Sequence, residues 1–372
     1  MSASLNGIRI ADFSRVLAGP LATMVLADLG AEVIKVERPG GGDETRAWGP
    51  PFDDHGMATY FQSVNRNKRS VVLDLRDAAD LAQARALVEN CDVLVENFRP
   101  GVMDSLGLGY EAFRSEHAAL VYCSLTGFGS SGAGAAMPGY DLLVQALGGL
   151  MSITGDPAGE PQKVGVALVD VICGLFATVG ILAALRHRDA TGEGQHVEVD
   201  LLSSLLAGLV NQASAYTLAG AVAPRMGNSH PSIAPYEPLR CADREIVVAV
   251  GNDRQFAGLV ETLGAPELAR DPRFDTNERR VAAREDLRAL LEQALAQRPA
   301  NEWVAALTEA RVPAGEVNDI AGAFALAERI GLEPFVDVPR ADGTSARLVR
   351  NPVRLSATPA EYRSAPPEYP TR

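Results

Sequence analysis

The stretch "GIRIADFSRVLAGPLATMVLADLGAEVIKVERP" (residues 7–39) decides the fold. GIRIADFS (7–14) is a short, mostly apolar run and predicts a strand. GPLATMVLADLGA (19–31) predicts a helix, with Pro20 in its first turn and Gly30 near its end. EVIKVERP (32–39) predicts a second strand, so the stretch reads as a β–α–β unit. The alternation continues through SVVLDL (70–75), a helix over 78–90, CDVLVENF (91–98) and ALVYCSLTGF (119–128). Apolar strands alternating with helices predict an α/β fold with an open, Rossmann-like parallel sheet covered on both faces. Ligands of such sheets bind at the carboxyl ends of the strands, where the turns RVLAGP, VERPGGGD, ENFRPG and LTGFG lie.

Further along, the pattern predicts a helix over 166–188, a turn at TGEGQ (191–195), a strand at HVEVDL and one apolar helix over 201–220. The Pro-rich stretch 221–240 marks a crossing into a second region. The expected domains are a large one over 1–220, a smaller α+β domain over 225–325, and a tail (330–372) packing back on the large one. The small domain is predicted to hold a strand at EIVVAVG (245–251) and helices near 253–264, 279–297 and 300–311.

With 372 residues and 47% hydrophobic residues, the chain is long and apolar enough for an extensive core. A net charge of −13 excludes a general nucleic-acid binder, which needs a basic face to neutralise phosphates. The four cysteines form no CxxC pair and the five histidines no HxxxH pair, so a metal centre is not expected. Free thiols and an amino-terminal segment without a basic and then apolar run predict a cytoplasmic setting.

GFGSSG (127–132) is a literal GxGxxG after a predicted strand, but Pro138 and Gly139 postpone the following helix. A loop at the sheet edge is the better account. The absence of GxxxxGK[ST] and GxSxG removes P-loop and α/β-hydrolase chemistry. Trp48, Tyr60, Phe61 and Tyr140 read as core aromatics, and NRNKRS (65–70) as a solvated turn or a phosphate patch.

Asp170 stands alone in "GVALVDVICGLFATVG" (165–180). From Val164 to Leu185 the run is long enough to cross a bilayer, but the α/β surroundings argue against a membrane span. A lone carboxylate among apolar residues is costly unless it is hydrogen-bonded or lines a cleft. It either caps the helix or does chemistry, and the two are compatible because a helix amino terminus favours the ionised form.

Five blocks carry a resemblance: ADFSRVLAGPLATMVLADLGAEVIKVERPGGGDETRAWGPPF (11–52), SVNRNKRSVVLDL (63–75), DVLVENFRPGVMDSLGLGYE (92–111), GYDLLVQALGGLMSITG (139–155) and GVALVDVICGLFATVGILAAL (165–185). They resemble the class III CoA-transferases, the family of formyl-CoA and carnitine CoA-transferases and α-methylacyl-CoA racemases, from residue 5 to about 355. WGPPF (48–52), SIAPYE (232–237) and VGNDRQF (250–256) are similar to the succinate–hydroxymethylglutarate (glutarate) CoA-transferases. The resemblance implies a large domain made from both chain ends, a smaller inserted domain and an interlocked homodimer. It implies no cofactor, coenzyme A thioesters and small carboxylic acids being the substrates, and neither nucleic acid nor membrane as partner. Asp170 matches the family nucleophile, which passes through an aspartyl anhydride and an aspartyl-CoA thioester. By position, Leu17, Ala18 and Arg38 would contact CoA, Leu73 and Arg76 its adenine and phosphates, and Asn97, Phe98 and Arg99 its pantetheine. Tyr140 would lie beside the thioester; racemases carry histidine there, so transfer is expected over racemisation or mere CoA binding. Succinyl-CoA and short dicarboxylates are the expected substrates, with Arg46 or Arg15 available for a distal carboxylate. Ser105 stands where relatives often carry arginine, the glycine-rich lid of the formyl-CoA enzymes is absent, and the chain beyond SAPPE differs.

Overall fold

The first β–α–β unit forms as β1 (Arg9–Asp12), α1 (Ala18–Asp28) and β2 (Glu32–Glu37) in the computed structural model, which describes residues 3–370. The chain continues through α2 (Thr59–Ser63), β3 (Lys68–Val72), α3 (Ala78–Glu89), β4 (Val93–Glu96), α4 (Val102–Ser105), α5 (Tyr110–Arg114) and β5 (Val121–Thr126). After α6 (Asp141–Leu147) and α7 (Leu150–Ile153) come α8 (Leu168–Thr191), β6 (His196–Asp200), α9 (Leu201–Gly208) and α10 (Val210–Ala219). The six strands form one parallel sheet in the order β3-β2-β1-β4-β5-β6. Strand order reverses at the β1–β4 pair, where Ile10 lies opposite Val93.

Both sheet faces are dry, which explains the near-continuous apolar strands. Ile10, Val33, Val93, Val95, Val121 and Cys123 pack with Leu26 of α1 and Cys173, Ala177 and Ile181 of α8. On the other face, Ala11, Phe13, Leu94 and Tyr122 pack with Val88 of α3 and Phe113 of α5. Each large side chain buried there contributes on the order of 1.5–3 kcal/mol. α8 is long and apolar enough to cross a membrane by length and composition, but it packs against α1, α9, β5 and β6.

The chain forms two compact units. One runs to Leu150, resumes over Lys163–Val222 and ends with the segment from Glu333 onward; the other takes Met151–Gln162 and Ala223–Leu332. The second unit is α+β, with the antiparallel strands β7 (Tyr236–Arg240), β8 (Glu245–Ala249) and β9 (Ala314–Glu316). Its helices are α11 (Asp253–Thr262), α12 (Asn277–Ala282), α13 (Arg284–Leu295), α14 (Ala300–Glu309) and α15 (Ile320–Arg329). Ile246, Phe256, Phe274, Leu291 and Trp303 form its own core. The tail adds an antiparallel hairpin, β10 (Phe335–Pro339) and β11 (Ser345–Val349). Beyond it, Arg363 donates to the Ala27, Gly30 and Ala31 carbonyls, satisfying acceptors freed at the end of α1.

Two predicted helices are broken. The 201–220 run divides at Val210, whose φ of 42° interrupts the helical path. The 279–297 run starts earlier, because the Thr276 side chain accepts the Arg279 N–H, and divides at Ala283. In NRNKRS only Arg69 is exposed, and the other two cations are neither solvated nor open to a phosphate. Arg66 pairs with Asp28 at 2.6 Å, Lys68 with Asp12 at 3.0 Å, and all four side chains are buried.

Candidate active site

The reversal of strand order leaves a crevice at the carboxyl ends of β1 and β4, where open α/β sheets bind ligands. The two loops are tied together: Arg15 N donates to Asn97 Oδ1 at 2.9 Å, and Asn97 Nδ2 donates to the Arg15 carbonyl at 2.8 Å. Between them Val16 adopts φ 69°, a left-handed conformation that is strained for a β-branched residue. Such strain costs on the order of 1–3 kcal/mol and persists only where neighbours over-determine it. Here the Asp43 carboxylate accepts the Val16 N–H at 3.3 Å, and Lys35 Nζ donates to the Ser14 carbonyl at 2.8 Å. Lys35 and Asp43 are themselves paired at 2.9 Å with both side chains fully buried. The result turns Leu17 and Ala18 into the crevice at the start of α1, where no side chain caps the helix.

Asp170 reaches the same crevice from α8. Gly174 lies one turn after Asp170, and residues four apart share a helix face. A Cβ on Gly174 would stand 2.6 Å from the Ala18 carbonyl oxygen, so the missing side chain lets α1 settle against α8 beside Asp170. A similar contact shapes the opposite rim. Gly127 and Gly139 approach so closely that a Cβ on either would lie 2.4 Å from the other's Cα. The first glycine of GFGSSG thus serves backbone packing, and the helix after it begins only at Asp141.

The resulting cavity holds about 1040 Å³ including its open mouth. Leu17, Ala18, Asn97, Phe98, Arg99, Tyr140 and Asp170 all line it, together with Arg15, Glu44 and Asp141. Arg38, Leu73 and Arg76 do not, although they follow β2 and β3 on the same sheet edge. Arg38 Nε donates to the Gly42 carbonyl at 3.1 Å, Leu73 is packed in the core, and exposed Arg76 is bidentate on Asp74. Ser105 Oγ bonds within its own helix, to the Val102 carbonyl.

Burial, and after it the Asp141 charge, raises Asp170 from the ordinary carboxyl value to about 7. Asp170 is not the cap of α8. That helix starts after Ala167, and Asp141 caps it from α6: its Oδ1 accepts Val169 N at 2.8 Å and Asp170 N at 3.4 Å. Gln145 holds the other Asp141 oxygen at 2.6 Å. Burial and the charges of Asp170, Asp141 and Asp43 push the Tyr60 phenol up to about 12, so it remains a protonated donor. Trp48 meets Tyr60 edge to face at 5.2 Å.

Of the four aromatics read as core, only Phe61 is fully buried; Trp48 is 42% and Tyr140 65% exposed. Asp141, which lines the cavity, is a residue the sequence did not single out. The only signal for Asp141 was an acidic residue opening a helix after Pro-Gly. Arg46 is committed elsewhere: it is bidentate on buried Glu37 at 2.8 and 2.7 Å, donates to the Pro367 carbonyl, and lies 3.8 Å over Phe61.

The chain matches the model of CoA-transferase family III over residues 5–371. It is 42% identical over 369 residues to the succinate–glutarate CoA-transferase of Agrobacterium fabrum, covering 98% of this chain and 92% of the relative. It is 41% identical to the acetyl-CoA:oxalate CoA-transferase of Acetobacter aceti, covering 97% and 92%. A crystal structure of a CaiB/BaiF family protein from Brucella suis matches it with a TM-score of 0.87 at 42% identity, covering 99% of this chain and 97% of that one.

Proposed function

This chain belongs to CoA-transferase family III and is an enzyme that moves CoA between acids; from that premise we propose that Asp170 is its nucleophile. The observation that carries the reading is a half-buried carboxylate, raised to about 7, in the crevice where the strand order reverses. A raised pKa makes the ionised form a better nucleophile, and dry surroundings protect acyl intermediates from water.

An Asp170 oxygen attacks the thioester carbonyl, the C–S bond breaks, and CoA thiolate leaves from a mixed anhydride. The thiolate attacks the Asp170 carbonyl, releasing the donor acid and forming an aspartyl-CoA thioester. The acceptor carboxylate attacks that thioester, expels the thiolate and forms a second anhydride. Thiolate then takes the new acyl group and frees Asp170. No proton is gained or lost over these steps. The uncapped N–H groups at the start of α1 are suited to the oxyanion of each tetrahedral step. The pantetheine arm would follow Asn97, Phe98 and Arg99 past Tyr140, with the nucleotide along Arg38, Leu73 and Arg76 on the sheet edge.

Similarity to the glutarate and oxalate enzymes supports short dicarboxylates as substrates, and similarity to a succinyl-CoA:glutarate CoA-transferase of Mus musculus supports succinyl-CoA as donor. The exposed apolar residues Leu175, Phe176, Val179, Leu206, Val210 and Leu218 on α8, α9 and α10 support a second, interlocked copy as their cover, which light scattering would register as a dimer. The central test is mass spectrometry of the enzyme mixed with succinyl-CoA. A CoA adduct on the Asp170 peptide, and loss of exchange with CoA affinity kept in Asp170→Ala, are expected. Exchange at the wild-type rate in Asp170→Ala would refute the covalent route. Enzymatic deuterium uptake at the α-carbon of a 2-methylacyl-CoA would point to racemisation instead.

A further inference from the structure

Of the two guanidinium groups lining the cavity, Arg99 is exposed at the boundary with a second cavity. Arg15 is different. Its backbone is locked on both sides by the Asn97 side chain, so its Cα is placed before any ligand arrives. Its side chain is about one-third exposed, lies 4.8 Å over the Phe98 ring, and comes only to 3.8 Å from Glu44 Oε2. That is a charge contact too long for a hydrogen bond. The Glu44 oxygen is buried and has no hydrogen-bond partner among the described residues. Arg15 therefore presents an uncommitted fork of donors at a corner of the cavity where the nearest anion is held but not bonded. A guanidinium fork matches a carboxylate bidentately. This corner belongs to the same cavity as Asp170.

We propose that Arg15 binds the distal carboxylate of a dicarboxylic substrate whose other end reacts at Asp170, and so sets the preference for diacids over monoacids. The inference rests on the transferase reading above and deepens it. Arg46, the other candidate in the sequence, is excluded because its donors are spent on Glu37 and the Pro367 carbonyl. Without a cation at this corner, a second substrate carboxylate would be desolvated against Glu44 and the Phe98 ring, a net penalty.

The test compares glutarate with pentanoate, its analogue ending in a methyl group, as acceptors with acetyl-CoA as donor. In Arg15→Gln the glutarate preference in kcat/KM should fall by roughly 10- to 100-fold, chiefly through the acceptor KM, the range expected for a lost charge-assisted pair. Arg15→Lys, which keeps the charge but not the fork, should fall between the two. Calorimetric binding of free CoA shows whether each variant retains its fold, and if Arg15→Gln does not, the lysine variant carries the test. A glutarate preference unchanged in folded Arg15→Gln would overturn the role of Arg15 and leave the transferase reading standing. A wild-type enzyme that transfers CoA to pentanoate as well as to glutarate would overturn the dicarboxylate reading and this proposal together.

Discussion

Replacing Asp170, the proposed nucleophile, should stabilise the protein while abolishing exchange. The unfolded chain ionises Asp170 near its ordinary value of 3.8, whereas the folded protein holds that proton up to about 7. Below both values neither state is charged and folding carries no penalty. As pH rises between them, the unfolded state ionises first and stability drains away. Above about 7 the folded state carries the full cost. That difference corresponds to about 4 kcal/mol, at 1.36 kcal/mol per pKa unit. Partial exposure of Asp170 reduces it, so Asp170→Asn is expected to gain about 2–4 kcal/mol at pH 8. For a unit of this size that is a rise of roughly 5–10 °C in Tm. The gain should be less than half as large at pH 5, because the asparagine amide does not titrate and the wild-type penalty is then only partly present. Thermal melts of both proteins from pH 5 to 8.5, in one buffer series at constant ionic strength, measure this directly. A variant no more stable than wild type at pH 8, or a gap equal at pH 5 and pH 8, would refute the reasoning.

Three further outcomes are expected. The pH profile of kcat/KM should rise through a limb near 7, and Asp141→Asn should move that limb lower by removing the like charge, leaving burial as the remaining cause; an unmoved limb would count against the coupling. Arg46→Ala should lower stability by about 3–5 kcal/mol, seen as a Tm drop on the order of 10 °C, because it strands buried Glu37, while the glutarate preference stays as in wild type. Gly174→Val should cost about 1–3 kcal/mol and most of the exchange activity, since even its Cβ meets the Ala18 carbonyl; full activity with an unchanged melt would show that α1 does not depend on that close approach.

Much of the large unit was legible along the chain, because burial on both faces of a parallel sheet writes itself as unbroken apolar strands. Ile10, Val33, Val93 and Val121 mark β1, β2, β4 and β5 in that way. Asp170 was legible for a related reason: a single charge is conspicuous inside an apolar helix. The cavity loops were legible because the carboxyl ends of the strands are where such folds bind ligands. Residues 65–70 were not. Two of their three cations, Arg66 and Lys68, are buried against Asp28 and Asp12, which lie far away in sequence. Arg46 likewise looked available until Glu37 and Pro367 were seen to hold it.

By itself, then, the sequence determined the layer pattern, the family and the identity of the lone carboxylate, since these depend on periodicity and residue type. Only the tertiary structure decided how that carboxylate is held. Asp141 comes from another helix to cap α8 and raise Asp170, and Gly174 admits α1. These effects depend on distances between residues remote in sequence: Coulomb coupling, desolvation and steric exclusion all act through space.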